Sequence, residues 1–201
     1  SACEGEFFEW REEMEKSKIE WCDHTWNRWR GCTKISPGCA NCYAESIVKR
    51  FGQNDCWGRG KKRLPNGPDT CTLPSKWSRR ALAFFAEHGR RQRVFCQSMS
   101  DWLDPEVPIE LFIDLIRTVR DNPTLDWLLL TKRPEMFVER MKDAFTALSE
   151  SGDADLRSWI WEWCALKTAR HNVWIGVSVE EQILADERIP EALSIAASVR
   201  F

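Results

Sequence analysis

Two patterns of apolar residues alternate along this chain. Stretches with apolar positions three to four residues apart predict helices with one buried face, and short runs that are apolar throughout predict strands covered on both sides. Strands are expected at 93–98 (RVFCQS), 126–131 (DWLLLT) and 173–178 (VWIGVS). A shorter extended stretch is expected at 19–22 and around Thr25 and Trp26, before Gly31, and a last strand begins at Val199. Helices are expected at 39–51 with Gly52 as the stop, at 77–88 before Gly89, and at 109–121 behind Pro108. Further helices run from Pro134 to about 149 and within 180–197. Residues 3–18 carry Phe7, Trp10 and Met14 at helical spacing among glutamates, which predicts a short acidic amphipathic helix.

Strand and helix thus alternate, each crossover is long enough for a right-handed unit, and the strands are not amphipathic. That is a parallel α/β layout, with five strands in sight. A closed eight-fold barrel needs roughly 250 residues, so the expectation is an N-terminal fragment of a (βα) barrel-like sheet, cut on the C-terminal side. An open doubly wound sheet is the alternative. The domain expectation is an acidic extension at 1–17 and one three-cysteine (βα) domain at 18–201. Two insertions are expected, a Gly/Pro/Asn/Lys-rich loop at about 54–74 and a helical stretch at about 151–169.

Composition narrows the function classes. With 43% hydrophobic and 30% charged residues among 201, the chain is globular rather than disordered. It holds no apolar run long enough for a membrane helix, and its acidic start is unlike a signal peptide. A net charge of −2 does not advertise a nucleic-acid binder. Nine cysteines without a secretory leader favour a reduced, cytoplasmic setting and metal chemistry over a disulfide framework. The twelve tryptophans suggest no function of their own.

The strongest local signal is GCTKISPGCANCYAE, which places Cys32, Cys39 and Cys42 at C-x6-C-x2-C in a loop running into a helix. Thiolates suit iron–sulfur clusters or zinc. A closed zinc site wants a fourth ligand, for which Cys22, His24, Cys56 and Cys71 are the candidates. Three cysteines on a [4Fe–4S] cluster leave one iron open, and plain buried thiols are the bland alternative. The loop resembles the cluster loop of radical S-adenosylmethionine enzymes, although the first gap is six and the aromatic residue, Tyr43, follows the third cysteine.

A longer resemblance joins KIEWCDHTWNRWRGCTKISPGCANCYAE, FCQSMSDWLDPEVP, LDWLLLTKRPE and NVWIGVSVE with ADERIP, covering roughly residues 18 to 201. These motifs, in this order, resemble the phage-associated three-cysteine-motif proteins, an uncharacterised family of phages, prophages and bacteria. The resemblance implies an identity without a reaction.

Ligands of parallel α/β proteins bind beyond the carboxyl ends of the strands. Here the strands end in Ser98, Ser100 and Asp101, in Thr131, Lys132 and Arg133, and in Ser178 and Glu180. With Tyr43, these are the candidate cofactor-binding residues. Lys132 or Arg133 would take the carboxylate of an amino-acid-type cofactor, and Ser178 or Glu180 its ribose hydroxyls. Helix capping is the structural reading of the same residues, above all Thr131, Ser178, Asp101 and Asp104. Lys61, Lys62 and Arg63, and Arg90, Arg91 and Arg93, could instead touch nucleic-acid phosphates. His88 and His171 are expected to be structural, and Cys96 and Cys164 to be core thiols.

The resulting expectation is a cytoplasmic iron–sulfur protein of radical S-adenosylmethionine type, with substrate, partner and oligomeric state left open. Its rival is a non-catalytic zinc-stabilised phage accessory module acting on nucleic acid or a host partner.

Overall fold

A computed structural model describes residues 16–201 except Phe51 and Gln53. The acidic helix expected at 3–18 therefore falls almost wholly outside the described residues. Among these, five parallel strands form one sheet: β1 (His24–Trp26), β4 (Arg93–Cys96), β5 (Asp126–Thr131), β6 (Arg170–Val177) and β7 (Ala197–Arg200), in that spatial order. A two-stranded antiparallel ribbon pairs β2 (Trp29–Arg30) with β3 (Leu64–Pro65). The order of the large sheet runs in one direction, without the reversal that defines a doubly wound sheet.

Eight helices are described: α1 (Tyr43–Arg50), α2 (Pro68–Cys71), α3 (Leu73–Arg79), α4 (Ala81–His88), α5 (Ile109–Asp121), α6 (Phe137–Ser151), α7 (Ala154–Cys164) and α8 (Gln182–Ser194). The main core lies between the sheet and α3, α5, α6 and α7. Trp26, Val94, Cys96, Trp127, Leu129, Val173 and Ile175 project from the strands into it, against Trp77, Phe112, Ile116, Met141, Ile160 and Trp163 from the helices. Burying one such side chain contributes roughly 1.5–3 kcal/mol, so this layer fixes the frame. The opposite face is also apolar, with Phe95 beside Leu128 and Leu128 beside Trp174 across the strands. No described helix packs there; Ile19 and Cys22 lie against it, and the Phe201 ring sits where a side chain at Gly176 would be, 2.5 Å from its Cβ position. Apolar contacts on both faces explain why the strand runs read as continuous rather than alternating.

Several local expectations need correction. The stretch at 54–74 is not a free loop: it holds a 3₁₀ turn at Asn54–Cys56, β3, α2 and the start of α3. Its anchor is Arg63, whose side chain is wholly buried and whose Nε donates to Asp104 at 2.7 Å. The helix expected at 77–88 begins earlier and breaks at Arg80 into α3 and α4. The helix expected from Cys39 begins at Tyr43, because a 3₁₀ turn at Pro37–Cys39 precedes it. The last strand, expected from Val199, starts at Ala197 and pairs parallel with β6. Alanine, tryptophan and leucine at 154–164 do form the helix expected in the second insertion, α7, and it packs into the core through Leu156, Ile160 and Trp163.

Candidate functional site

Four strand ends converge at the carboxyl edge of the sheet, stitched by hydrogen bonds rather than by apolar contact. Behind β1, Asn27 Nδ2 donates to Ser98 Oγ at 3.0 Å, and its Oδ1 accepts from the Met99 amide at 2.8 Å. Asp101 binds the end of β5 through three groups: Thr131 Oγ1 at 2.7 Å, the Lys132 amide at 2.9 Å and Arg133 Nη1 at 3.0 Å. From β6, the Ser178 amide donates to the Thr131 carbonyl at 2.9 Å, and Ser178 Oγ accepts from Lys132 Nζ at 2.7 Å. Glu180 accepts from Lys132 Nζ, and from Arg188 Nη1 at 3.0 Å.

The cysteine loop crosses this edge. Gly31 has φ +105°, and a Cβ there would meet the Cys56 carbonyl oxygen at 2.2 Å, so only glycine lets the loop pass. Cys32 Sγ accepts from Arg133 Nη1 at 3.6 Å, while Arg133 Nη2 donates to the Thr33 carbonyl at 2.6 Å. Thr33 Oγ1 accepts from Arg63 Nη2 at 2.7 Å and donates to Glu106 at 2.9 Å. Further along, Ser36 Oγ donates to Glu180 Oε1 at 3.0 Å. Tyr43 closes the circuit, its hydroxyl donating to the Ser98 carbonyl at 2.7 Å.

Electrostatics differ among the thiols. Burial pushes Cys32 up to about 12, against the opposing pull of the Arg133 charge. Cys39 lies below the ordinary thiol value; burial alone would raise it, but backbone and hydroxyl contacts at Ile35 and Ser36 and the Lys132 charge outweigh that. Lys34 lies above the ordinary lysine value, chiefly through its hydrogen bond to Glu45, with which it pairs at 2.7 Å. Burial is also the largest influence on Arg133 and would lower it, yet Asp101 and Cys32 hold it above the usual guanidinium value. Arg133 beside Cys32 and Lys132 near Cys39 each favour the anionic thiol, and at Cys32 burial outweighs that pull. None of the eight described cysteines forms a disulfide.

Among the described residues, no three His, Cys, Asp or Glu side chains stand together as a metal-holding group. Cys32, Cys39 and Cys42 are thus not preassembled as a metal-holding set. Of the candidate fourth ligands, Cys56 packs in one small apolar cluster with Cys32 and Cys42. The others lie elsewhere: Cys22 is on the helix-free face, His24 contacts Gln92 and stacks on Trp77, and Cys71 faces the Asn66 carbonyl.

The nominated residues divide by role. Thr131, Asp101 and Arg133 are buried and hold one another, so they brace the edge. Arg133 is committed to Asp101, Thr33 and Cys32, and Lys132 to Ser178 and Glu180. Ser100 Oγ is buried without a hydrogen-bond partner. The sequence reading missed Ser36, Glu106 and Gln97, and took Arg63 for a loop cation that could touch phosphates. Gln97 is 2% exposed, has φ +64°, and leaves Nε2 without a partner; a strained residue of this kind points toward function. Its only signal in the sequence is a polar residue at a strand end.

The two basic clusters are largely tied down. Arg63 is buried, Arg90 makes a two-pronged pair with Asp23, Arg91 pairs with Asp126, and Arg93 lies over the Trp174 ring. Cys96 is fully buried, and Cys164, packed against the core, is pushed by burial up to about 11. Among the described residues, no helix is long and apolar enough to cross a membrane.

Searches of curated proteins and of solved structures give no match. A family model does match residues 16–201, a span that takes in the whole sheet and the cysteine loop, and the chain therefore belongs to DUF5131, a protein family of unknown function.

Proposed function

We propose that this chain is an iron–sulfur protein of radical S-adenosylmethionine type, with phage or prophage association and a cytoplasmic setting. Cys32, Cys39 and Cys42 would supply thiolates to a [4Fe–4S] cluster. The observation that carries the reading is the connected edge: the three-cysteine loop is tied to the ends of β4, β5 and β6 by Tyr43, Arg133 and Ser36. Such an edge is where parallel α/β proteins hold ligands. The one-way strand order and the apolar helix-free face favour a barrel of which these five strands form an arc. When bound, the cluster and S-adenosylmethionine together supply one-electron chemistry. The chain's own part is to orient and to exclude water. Lys132 would meet the cofactor carboxylate, Ser178 and Glu180 its hydroxyls, while Asp101 and Arg133 hold the strand ends still.

The test is electron paramagnetic resonance with metal analysis on anaerobically reconstituted, dithionite-reduced protein, with and without S-adenosylmethionine. A reduced cluster signal that shifts on adding the cofactor is expected, and alanine at any one of Cys32, Cys39 or Cys42 should abolish it. Stoichiometric zinc with no paramagnetic signal would overturn the reading. That outcome belongs to the second reading, a non-catalytic zinc-binding module acting on nucleic acid or a host partner. The position of Cys56 beside Cys32 and Cys42, as a fourth thiol, favours it.

A further inference from the structure

Helix α4 is apolar on nearly every side and buries none of its residues. Its sequence, ALAFFAEH, holds a single acid, Glu87. Leu82 is 89% exposed, and Phe85, three residues on and so on the same face, is 54% exposed. A helix that is hydrophobic all round is normally covered, and clustered large apolar side chains at a surface mark a contact site. Cations rim this one: Arg79 and Arg80 are exposed just before the helix, and His88 ends it. The first described residues are tied to the same helix. Arg90 follows the Gly89 stop, lies over the Phe84 ring at 5.3 Å, and makes its two-pronged pair with Asp23 at 2.7 and 2.8 Å. The Asp23 carbonyl in turn accepts from the Ser17 amide at 3.0 Å. The chain that precedes Ser17 therefore leads away from a point beside the end of α4. The helix-free face of the sheet needs no such cover, since Phe95 and Leu128 there are only 7% and 2% exposed.

We propose that α4 is the docking surface for this chain's own first fifteen residues. Their chemistry complements it: Phe7, Phe8, Trp10 and Met14 supply apolar bulk, among six glutamates and one arginine. Phe7, Trp10 and Met14 recur at helical spacing. At about 1.5 Å per residue, a helix over 3–15 is about 20 Å long and α4 about 12 Å, so the segment spans the patch from its attachment near Arg90. Its apolar side chains would meet Leu82 and Phe85, and its glutamates Arg79, Arg80 and His88. A second copy of the chain is the poorer occupant, because it would set one cationic rim against another.

Two readouts on the full chain test the docking. With the photo-crosslinker p-benzoylphenylalanine at position 82, irradiation should join that position to a peptide within residues 1–15 of the same chain, identified by mass spectrometry of the monomer band. A glutamate-specific protease gives the second readout. It should cut within residues 1–15 about tenfold faster in Leu82→Asp/Phe85→Asp than in wild type, because cleavage follows the population of the undocked segment. That variant should keep its fold, since neither side chain is buried, and circular dichroism checks it. Phe7→Ser/Trp10→Ser should speed cleavage by a similar factor and abolish the crosslink. Val138→Asp, at an exposed apolar position away from α4, should leave the wild-type rate unchanged. Equal cleavage in wild type and Leu82→Asp/Phe85→Asp would overturn the proposal. So would crosslinks that never reach residues 1–15 of the same chain, and a crosslinked dimer band would then make a second copy the occupant.

Discussion

The helix-packed face of the sheet and its carboxyl edge are both buried, but by opposite means. On the face, Trp26, Trp127, Leu129 and Ile175 meet helix side chains at 0–1% exposure, and the contacts are non-directional. At the edge, Arg63, Asp104, Asp101, Arg133 and Gln97 are nearly as inaccessible, yet they are charged or polar and one is strained. Buried charges cost several kcal/mol each unless paired, so apolar residues would make a cheaper edge. Keeping the polar set there marks the edge as the place where geometry matters more than stability.

The comparison can be broken from either side. The largest effect is expected on the face: Trp127→Ala should lower unfolding stability by up to about 5 kcal/mol through the cavity left among fully buried neighbours. Urea unfolding measures it, and Cys39 alkylation in the folded variant should stay as in wild type. At the edge, Arg63→Met should lower stability by about 3 kcal/mol, because the Asp104 carboxylate is left buried and uncompensated. Adding Asp104→Leu should recover part of that loss, whereas a gain from Arg63→Met alone would show the pair to be dispensable.

The smallest effect is acid sensitivity, to which Glu180 and Glu106 at the carboxyl edge and Asp23 at the amino end of the sheet contribute. Glu180, Glu106 and Asp23 all lie below their ordinary values of 4.5, 4.5 and 3.8: burial would raise each of them, but hydrogen bonds outweigh it. These bonds come from Lys132 and Ser36, from Thr33 and the Gly60 amide, and from Arg90 and the Arg93 amide respectively. A depressed carboxyl stabilises the fold above its unfolded value and loses that contribution as pH falls through its folded value. Stability should therefore be flat from neutral pH to about 5 and fall as pH drops through the carboxylate range. Unfolding midpoints against pH check this, and the fall should be shallower in Glu180→Gln.

Much of the frame was legible along the chain. The runs at 93–98, 126–131 and 173–178 mark strands, with β4 stopping at Cys96 and β6 running from Arg170 to Val177, because a sheet apolar on both faces needs no alternation; 109–121 matched α5 to the residue because Pro108 and the Leu111–Ile116 spacing bound it. The site was half legible. Strand-end polar residues could be nominated by position, and Asp101, Thr131, Lys132, Arg133, Ser178 and Glu180 do meet in one network. Their roles could not be read, because whether Arg133 faces a ligand or braces Cys32 depends on Asp101, 32 residues away. Arg63 shows the same limit. Within GRGKKRLPNG it looks like one more loop cation, and only the arrival of Asp104 and Thr33 turns it into an anchor.

The alternation of strand and helix, the parallel sheet, and the loop in which Cys32, Cys39 and Cys42 lie could all be read along the chain. Those follow from periodicity and local backbone preference, which act over a few residues. The tertiary structure decided which cations are buried, that the 54–74 stretch is folded, and that Glu180 rests against Gly38. Each of these depends on partners brought together across tens of residues or more, and the energy of a charge depends on who its neighbours are.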